Sequence, residues 1–453
     1  MLTYELKKPL YLSLYRHIKA DILNHVIKAN DKLPSKRKLA NHLNISLITV
    51  ENAYEQLLAE GYIFSIEKKG YFVENNDFST NNALNKEVKK IKDYPIEKNK
   101  DSNNLFPYST YLKLRRQIIN ERGTSLLDKG ESIGELELRL AISNHLSQFR
   151  NLEVNPDNII VGAGAEYLYN LLIQLLNSIN HNLEVAIEDP GYYKIAKIYQ
   201  SNRVNVKYLP LDSEGLSLEE LKKSKANLLH ISPNHQFPSG IIMPVNRRLA
   251  LLNWAKKTNT YIIEDDFDAE FRFKGRPIST LKSLNQAKVI YLNTFTKTLS
   301  PSLRLAYMVL PENLMDIYHQ NLAFYSSTVS RVEQLTIARF IDEAYFERHL
   351  NRLKKAYRIK RDYVIKAFDL AKFDYQILQE DAGLNFLLEL NEKFDYNAIQ
   401  NSFKRANIDI KFLNQYTIVN QSFKPILVIN YLKIKSGTIK EMIQILNRFK
   451  KSL

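Results

Sequence analysis

The chain has 453 residues, of which 45% are hydrophobic and 25% charged, and a net charge of +15, a composition that fits a multidomain globular protein with ample apolar material for its cores. It contains no cysteine, which excludes disulfides, zinc–thiolate sites and a cysteine nucleophile, and its nine histidines form no H-x-x-x-H pair that would point to a metal. No apolar run approaches the roughly 18 residues of a membrane helix. The start, "MLTYELKKPLYLSLY", lacks the layout of a secretory signal, so the expectation is a cytoplasmic protein with no membrane partner. A basic balance suits nucleic acid. Residues 1–74, however, hold eleven Lys/Arg against eight Asp/Glu, so charge alone does not assign DNA binding.

Four regions are expected in chain order: 1–74, a linker over 75–104, a large domain over 105–345 and a smaller one over 346–453. In "PLYLSLYRHIKADILNHVI", Leu10, Leu14, Ile18, Ile22 and Val26 recur every four residues and predict an amphipathic helix. Ser35 is placed to N-cap a second helix over Lys36–Leu43, Asn44 and Ile45 form a turn, and Ser46 is placed to cap a third. The third helix carries an apolar stripe of Val50, Ala53, Tyr54, Leu57 and Leu58, with Gly61 as its stop. Two helices joined by so short a turn predict a helix-turn-helix, whose second helix leads into the major groove with Ser46, Leu47, Ile48 and Thr49. "YIFSIEKKGYFVE" then reads as a hairpin wing whose tip carries Lys68 and Lys69 towards phosphate.

Residues 75–104 contain eight Asn and no Gly, with interspersed charge and little that could form a core, and they read as a mobile polar linker. From Leu105 onward, helical patterns alternate with short apolar runs: "NIIVGAG", "EVAIEDPGY", "NLLHISP", "TYIIEDDF" and "KVIYLNT". That alternation predicts an α/β domain with a mostly parallel sheet and helices on both faces. A long charged helix, "FERHLNRLKKAYRIKRDYVIKAFDLA", leads into a small α+β tail.

Chemistry gathers at the ends of the expected strands, where open α/β sheets bind ligands. Lys297, in "TFTKTLSPSLR", is a loop amine able to form an imine with a carbonyl cofactor. "YIIEDDFDAEF" offers acids that can pair with a protonated ring nitrogen. Thr294, Thr296 and Arg304 flank the lysine, and "VGAGAEYL" lets backbone approach a phosphate at a helix start. Tyr192, in "EDPGYY", can stack on a flat ring. Taken singly, a lysine in a Ser/Thr turn is more often solvated, and an acid cluster after a strand is more often a cap. Together these pieces fit pyridoxal 5'-phosphate.

Residues 9–73 resemble the GntR-type winged helix-turn-helix family. The resemblance rests on the Pro-Leu-Tyr start, Leu-Pro-Ser-x-Arg, Leu-Ala-x-x-Leu, Ser-x-x-Thr-Val, Ala-Tyr-x-x-Leu and Glu-Gly-Tyr. It implies that Ser35, Arg37, Ser46, Thr49 and Lys69 contact double-stranded DNA, probed as a dimer on two half-sites. Two departures stand out: Leu47 replaces the family's usual arginine, and the wing reads Lys68-Lys69-Gly70 rather than Gly-x-Gly.

Residues 105–453 resemble the fold-type I aminotransferases, most sharply in "SPNHQFPSG", "EDDFDAEF" and "TFTKTLSPSLR". The whole chain is similar to the MocR-type regulators. That resemblance implies that Lys297 carries pyridoxal 5'-phosphate, Asp265 pairs with its ring nitrogen, Arg304, Thr294 and Thr296 hold its phosphate with the backbone of Gly164 and Ala165, and Tyr192 stacks on the ring. It also implies a homodimer, head-to-tail swapped. Phe267 stands where the family has a tyrosine, Phe237 where true aminotransferases have asparagine, and "KPILVINYLKI" (424–434) offers Asn430 and Lys433 but no arginine for a substrate carboxylate, with Lys194 as another basic candidate. The expected function is a DNA-binding regulator that senses a small amine or amino acid at Lys297. The alternatives are a working aminotransferase and a sensor of pyridoxal 5'-phosphate itself.

Overall fold

The computed structural model describes residues 4, 6–74, 105–268, 270–273, 278–381, 383–390, 394–419 and 425–450. The expected linker over 75–104 lies outside the described residues. The chain divides into two compact units, Met1–Lys98 and Asn99–Leu453.

The first unit contains α1 (Leu10–Leu23), α2 (Lys36–Leu43), α3 (Leu47–Ala59), β1 (Ile63–Ile66) and β2 (Gly70–Val73). Leu14, Ile18 and Ile22 of α1 meet Leu39, Val50, Ala53, Tyr54 and Leu57 in one core. Val26, expected to extend the first stripe, is 67% exposed. The helix ends at Leu23, the chain turns through a left-handed His25, and Ile27 is buried instead. Leu58 is likewise 38% exposed, because Val50, Ala53, Tyr54 and Leu57 already fill the face that a 3.6-residue period allows. The expected caps are in place: Ser35 accepts the amide of Lys38, Ser46 accepts that of Thr49, Asn44 turns through the left-handed region, and Gly61 follows the C-cap with φ +73°. β1 and β2 pair antiparallel, and the hairpin is tied to the rest of the unit by Leu33 N–H donating to the Tyr71 carbonyl at 2.9 Å.

The second unit begins with α4 (Tyr108–Arg122) and α5 (Leu136–Arg150). An alternating run follows: β3 (Ile159–Gly162), α6 (Ala165–Asn177), β4 (Glu184–Asp189), α7 (Tyr193–Ser201), β5 (Asn205–Asp212), β6 (Gly215–Leu216), α8 (Leu218–Ser224) and β7 (Leu228–Ile231). It continues through α9 (Val245–Thr258), β8 (Tyr261–Asp265), α10 (Leu281–Leu284), β9 (Val289–Thr294), β10 (Ala306–Val309), α11 (Glu312–Asn321) and α12 (Arg331–Asp342). These strands form one sheet in the order β3-β10-β9-β8-β7-β4-β5-β6. The five from β9 to β5 are parallel, and β10 runs antiparallel to both neighbours. Core clusters lie on both faces, which is why the strands read as continuous apolar runs rather than alternating ones.

The chain then passes through α13 (Tyr345–Ala367), β11 (Tyr375–Leu378), β12 (Phe386–Leu390), α14 (Tyr396–Arg405), β13 (Lys411–Phe412), β14 (Ile426–Ile429) and α15 (Ser436–Lys450). The small sheet, β11-β12-β14-β13, is antiparallel throughout. α13 joins two cores: Phe346 and Leu350 pack with the large domain, and Leu353, Tyr357 and Val364 pack with the small one. The expected strand over 424–434 is shorter. It ends at Ile429, and the Asn430 side chain turns back to accept the Lys433 amide at 3.3 Å. Asn430 is therefore a turn former rather than a strand-borne clamp.

Candidate cofactor site and nucleic-acid interface

Strand register builds the candidate cofactor site. Gly162 on β3, Ala306 on β10 and Thr294 on β9 lie side by side, so the residues just beyond them leave the same edge of the sheet. Gly164 and Arg304 accordingly meet. Gly164 has φ +92°, and a Cβ placed there would come within 2.6 Å of the Arg304 guanidinium. Gly164 caps α6, whose first residue is Ala165, so free amides of a 13-residue helix face the arginine. Arg304 pairs with Glu166 in the first turn of that helix, and Lys194 approaches the other Glu166 oxygen at 3.9 Å. Thr294 and Thr296 share a hydroxyl–hydroxyl bond of 2.6 Å, and the Thr294 hydroxyl also reaches the Leu305 carbonyl at 3.3 Å.

One strand further, Leu292 on β9 pairs with Asp265 on β8, so Asp265 and Lys297 emerge from adjacent parallel strands at their C-terminal ends. Lys297 is open to solvent at its surface. Even so, partial enclosure of its amine by neighbouring groups lowers its pKa, while Asp268 opposes that shift and Lys433 adds to it. Burial penalises the ammonium form, so a larger fraction of the nucleophilic amine is present than on a free lysine.

Asp265 is buried. One of its carboxylate oxygens accepts the Tyr169 hydroxyl at 2.5 Å, and its other oxygen, Oδ1, has no partner. A cleft is lined by Asp265, Glu188, His230, Ser232, Tyr192 and Phe237. His230 turns Nδ1 to the Tyr199 hydroxyl at 2.9 Å, and its unpartnered Nε2 lies 3.7 Å from Asp265. Burial raises the Glu188 carboxyl to about 8, a shift partly offset by the Ser232 amide and the Gln236 side chain. Burial likewise holds the Tyr169 hydroxyl in its protonated, donating form.

Tyr192 is 42% exposed and meets Phe237 edge-on at 5.9 Å; Phe237 in turn meets Phe267 at 6.4 Å and Tyr416 at 5.3 Å. Gln236 clasps this corner, donating to the carbonyls of Pro190 and Phe237 and accepting from Ser239. Asp189 accepts the amides of Ile418 and Val419 and so ties the small domain to the cleft. The remaining acids of "EDDFDAEF" point elsewhere. Glu264 caps α10 through the amides of Leu281 and Lys282, while Asp266 holds Arg150, Tyr291 and Asn234. Sequence reading missed Tyr169, Glu188, His230, Gln236 and Asp189. Glu188, Asp189, His230 and Gln236 lie within runs it quoted, whereas Tyr169 sits inside a helix pattern that reads as core.

In the first unit, Ser35, Arg37, Ser46 and Lys69 are exposed and Thr49 is half-buried. The Ser46 hydroxyl also bonds that of Thr49 at 2.7 Å. At the wing tip, Lys68 adopts φ +61° in place of the expected glycine, and Gly70 follows at φ +109°.

A winged helix-turn-helix joined to a strand-end site with an aminotransferase topology defines a class of transcriptional regulator. The family model "Bacterial regulatory proteins, gntR family" matches residues 10–73, and "Aminotransferase class I and II" matches residues 73–449. The chain belongs to the aminotransferase class I and II family and, with its GntR head, to the MocR-type transcriptional regulators. It is 38% identical to "Uncharacterized HTH-type transcriptional regulator YdeL" of Bacillus subtilis, covering 89% of this chain and 88% of that one. It is 27% identical to "Probable rhizopine catabolism regulatory protein MocR" of Rhizobium meliloti, covering 90% and 87%. The solved structure of an archaeal alanine:glyoxylate aminotransferase shares the fold with a TM-score of 0.66 at 23% identity, over 77% of this chain and 89% of that chain. Among the described residues, no helix is long and apolar enough to cross a membrane.

The cofactor of this domain is pyridoxal 5'-phosphate, and the residues present fit it. The unpartnered Asp265 Oδ1 is a buried acceptor facing the cleft that a ring N–H would satisfy. The Gly164–Ala165 helix start with Arg304 supplies donors and positive charge for a phosphate. Lys297, on the loop after β9, is an amine that would suit its carbonyl. When bound, the cofactor contributes a carbonyl that reacts reversibly with amines and a ring that withdraws electrons.

Proposed function

We propose that this regulator holds pyridoxal 5'-phosphate covalently at Lys297 and responds to a small amine or amino acid that competes with that lysine for the cofactor. Asp265 keeps the ring nitrogen protonated. Arg304, Thr294, Thr296 and the amides at Gly164 and Ala165 hold the phosphate. Tyr192 stacks on the ring. In the head, Ser35, Arg37, Ser46, Thr49 and Lys69 contact double-stranded operator DNA, and the chain works as a head-to-tail homodimer. A ligand shifts DNA binding only as far as its affinity differs between two arrangements of the protein. The observation that carries the reading is a lysine on the loop after β9 beside a β8 carboxylate that is buried and has one oxygen left without a partner.

A regulator is favoured over a turnover enzyme because Phe237, which lines the cleft, and Phe267, which meets it edge-on at 6.4 Å, stand where a transaminase uses an asparagine and a tyrosine, and β14 carries no arginine. The test is a visible absorption spectrum of native protein and Lys297→Ala, with and without amines and amino acids, beside DNA binding under the same conditions. A band in the native protein that Lys297→Ala lacks, moved by an amine together with DNA affinity, is expected. No band in the native protein overturns the assignment. Steady turnover of an amino donor with a 2-oxo acid would establish the enzyme instead. Because Phe267 lacks the hydroxyl that would hold the cofactor's phenolic oxygen, a second reading makes cofactor occupancy itself the signal. DNA affinity that differs between the cofactor-free and loaded protein, with no response to amines, would support that reading.

A further inference from the structure

The leading end of α3 is apolar and carries no cation. Leu47 is 37% exposed and Ile48 is 66% exposed, whereas Val50, Ala53, Tyr54 and Leu57 of the same helix are fully buried. Placing two bulky aliphatic side chains in water gains nothing for the fold, because the core face is already filled. No Lys or Arg occurs anywhere in Leu47–Ala59, and Glu51 is paired with Lys36 at 3.4 Å. Asn52 is exposed one turn beyond Ile48. Exposed cations lie on other elements of the unit, among them Arg37 and Lys38 at the start of α2 and Lys68 and Lys69 at the wing tip.

The bidentate grip on guanine in the major groove needs an arginine or lysine, while aliphatic groups match the thymine methyl and asparagine matches adenine. We propose that Leu47 and Ile48 read thymine methyl groups and Asn52 reads adenine, so that the operator half-site is A·T-rich beneath α3, with these cations confined to phosphate. The inference rests on the reading of the head as DNA-binding and adds what that head recognises.

The experiment selects duplexes from a randomised library with the full chain, then replaces each selected thymine by uracil, which removes only the methyl. Adjacent A·T pairs at the centre of each half-site are expected. Uracil at a contacted position should weaken binding about fourfold, the equivalent of roughly 0.8 kcal/mol for one buried methyl. Leu47→Ala, an exposed position where the fold should persist, should remove that sensitivity at one position and leave it at the other. Half-sites with G·C at those positions, or uracil substitution without effect, would overturn the assignment while leaving DNA binding intact. Failure to select any duplex would overturn both this inference and the DNA-binding reading beneath it.

Discussion

Replacing Gly164 by alanine tests the phosphate cradle through two separable effects. At φ +92° and ψ 162°, Gly164 occupies a region that side-chain-bearing residues enter at a cost of about 1–3 kcal/mol. In a domain of this size the loss lowers the melting temperature by roughly 2–6 °C. The new Cβ would also lie 2.6 Å from Arg304 Nη2 and 2.9 Å from Cζ, so the guanidinium must move off the helix start. An arginine–phosphate contact contributes about 1.5–3 kcal/mol, and its loss weakens binding roughly 10- to 150-fold. The assay is titration of native and Gly164→Ala protein with pyridoxal 5'-phosphate and, separately, with pyridoxal, following visible absorbance. Affinity for the phosphate ester should fall by that factor, and affinity for pyridoxal should change little. Equal losses for both, or unchanged affinity for the phosphate ester in a destabilised variant, would refute the reasoning.

Asp265→Asn removes the charge offered to the ring nitrogen and should weaken cofactor binding by about 10- to 100-fold in the same titration; Tyr169→Phe, which removes one donor to that carboxylate, should have a smaller effect of the same sign. Glu188 has a folded-state value of about 8, above the ordinary 4.5. Its contribution to stability is therefore complete below pH 4.5 and is lost as pH rises to about 8, by at most about 4–5 kcal/mol; Glu188→Gln should flatten that part of the urea-midpoint profile. Ser46→Ala deletes the cap on the Thr49 amide and should cost about 1 kcal/mol, read as faster hydrogen exchange in the first turn of α3 within the full chain.

The cofactor site illustrates where sequence reasoning stops. Lys297, Asp265, Tyr192, Gly164 and Arg304 were singled out as candidates because each sits at a strand end in a short motif, and strand ends are where parallel sheets present ligand groups. Tyr169, His230 and Gln236 were not legible. Tyr169 stands at a core position of α6 and is distinguished only by the carboxylate its hydroxyl meets across 96 residues of chain. In the head, the caps at Ser35 and Ser46 followed from local preference, but Val26 and Leu58 fell outside the core because the helix end and the filled face are set by packing.

The amino-acid sequence by itself determined the periodicities, the caps, the alternation of strand and helix, and the reactive residues. These depend on interactions a few residues apart, and they were enough to define a DNA-binding head and a lysine-bearing α/β body. Tertiary structure decided what the neighbouring acids of "EDDFDAEF" do, because successive residues at the end of β8 point to opposite sides: Asp265 lines the cleft, while Glu264 and Asp266 turn to α10 and Arg150. It also decided that Gly164 meets Arg304, since the register of three neighbouring strands brings residues 140 positions apart into van der Waals contact.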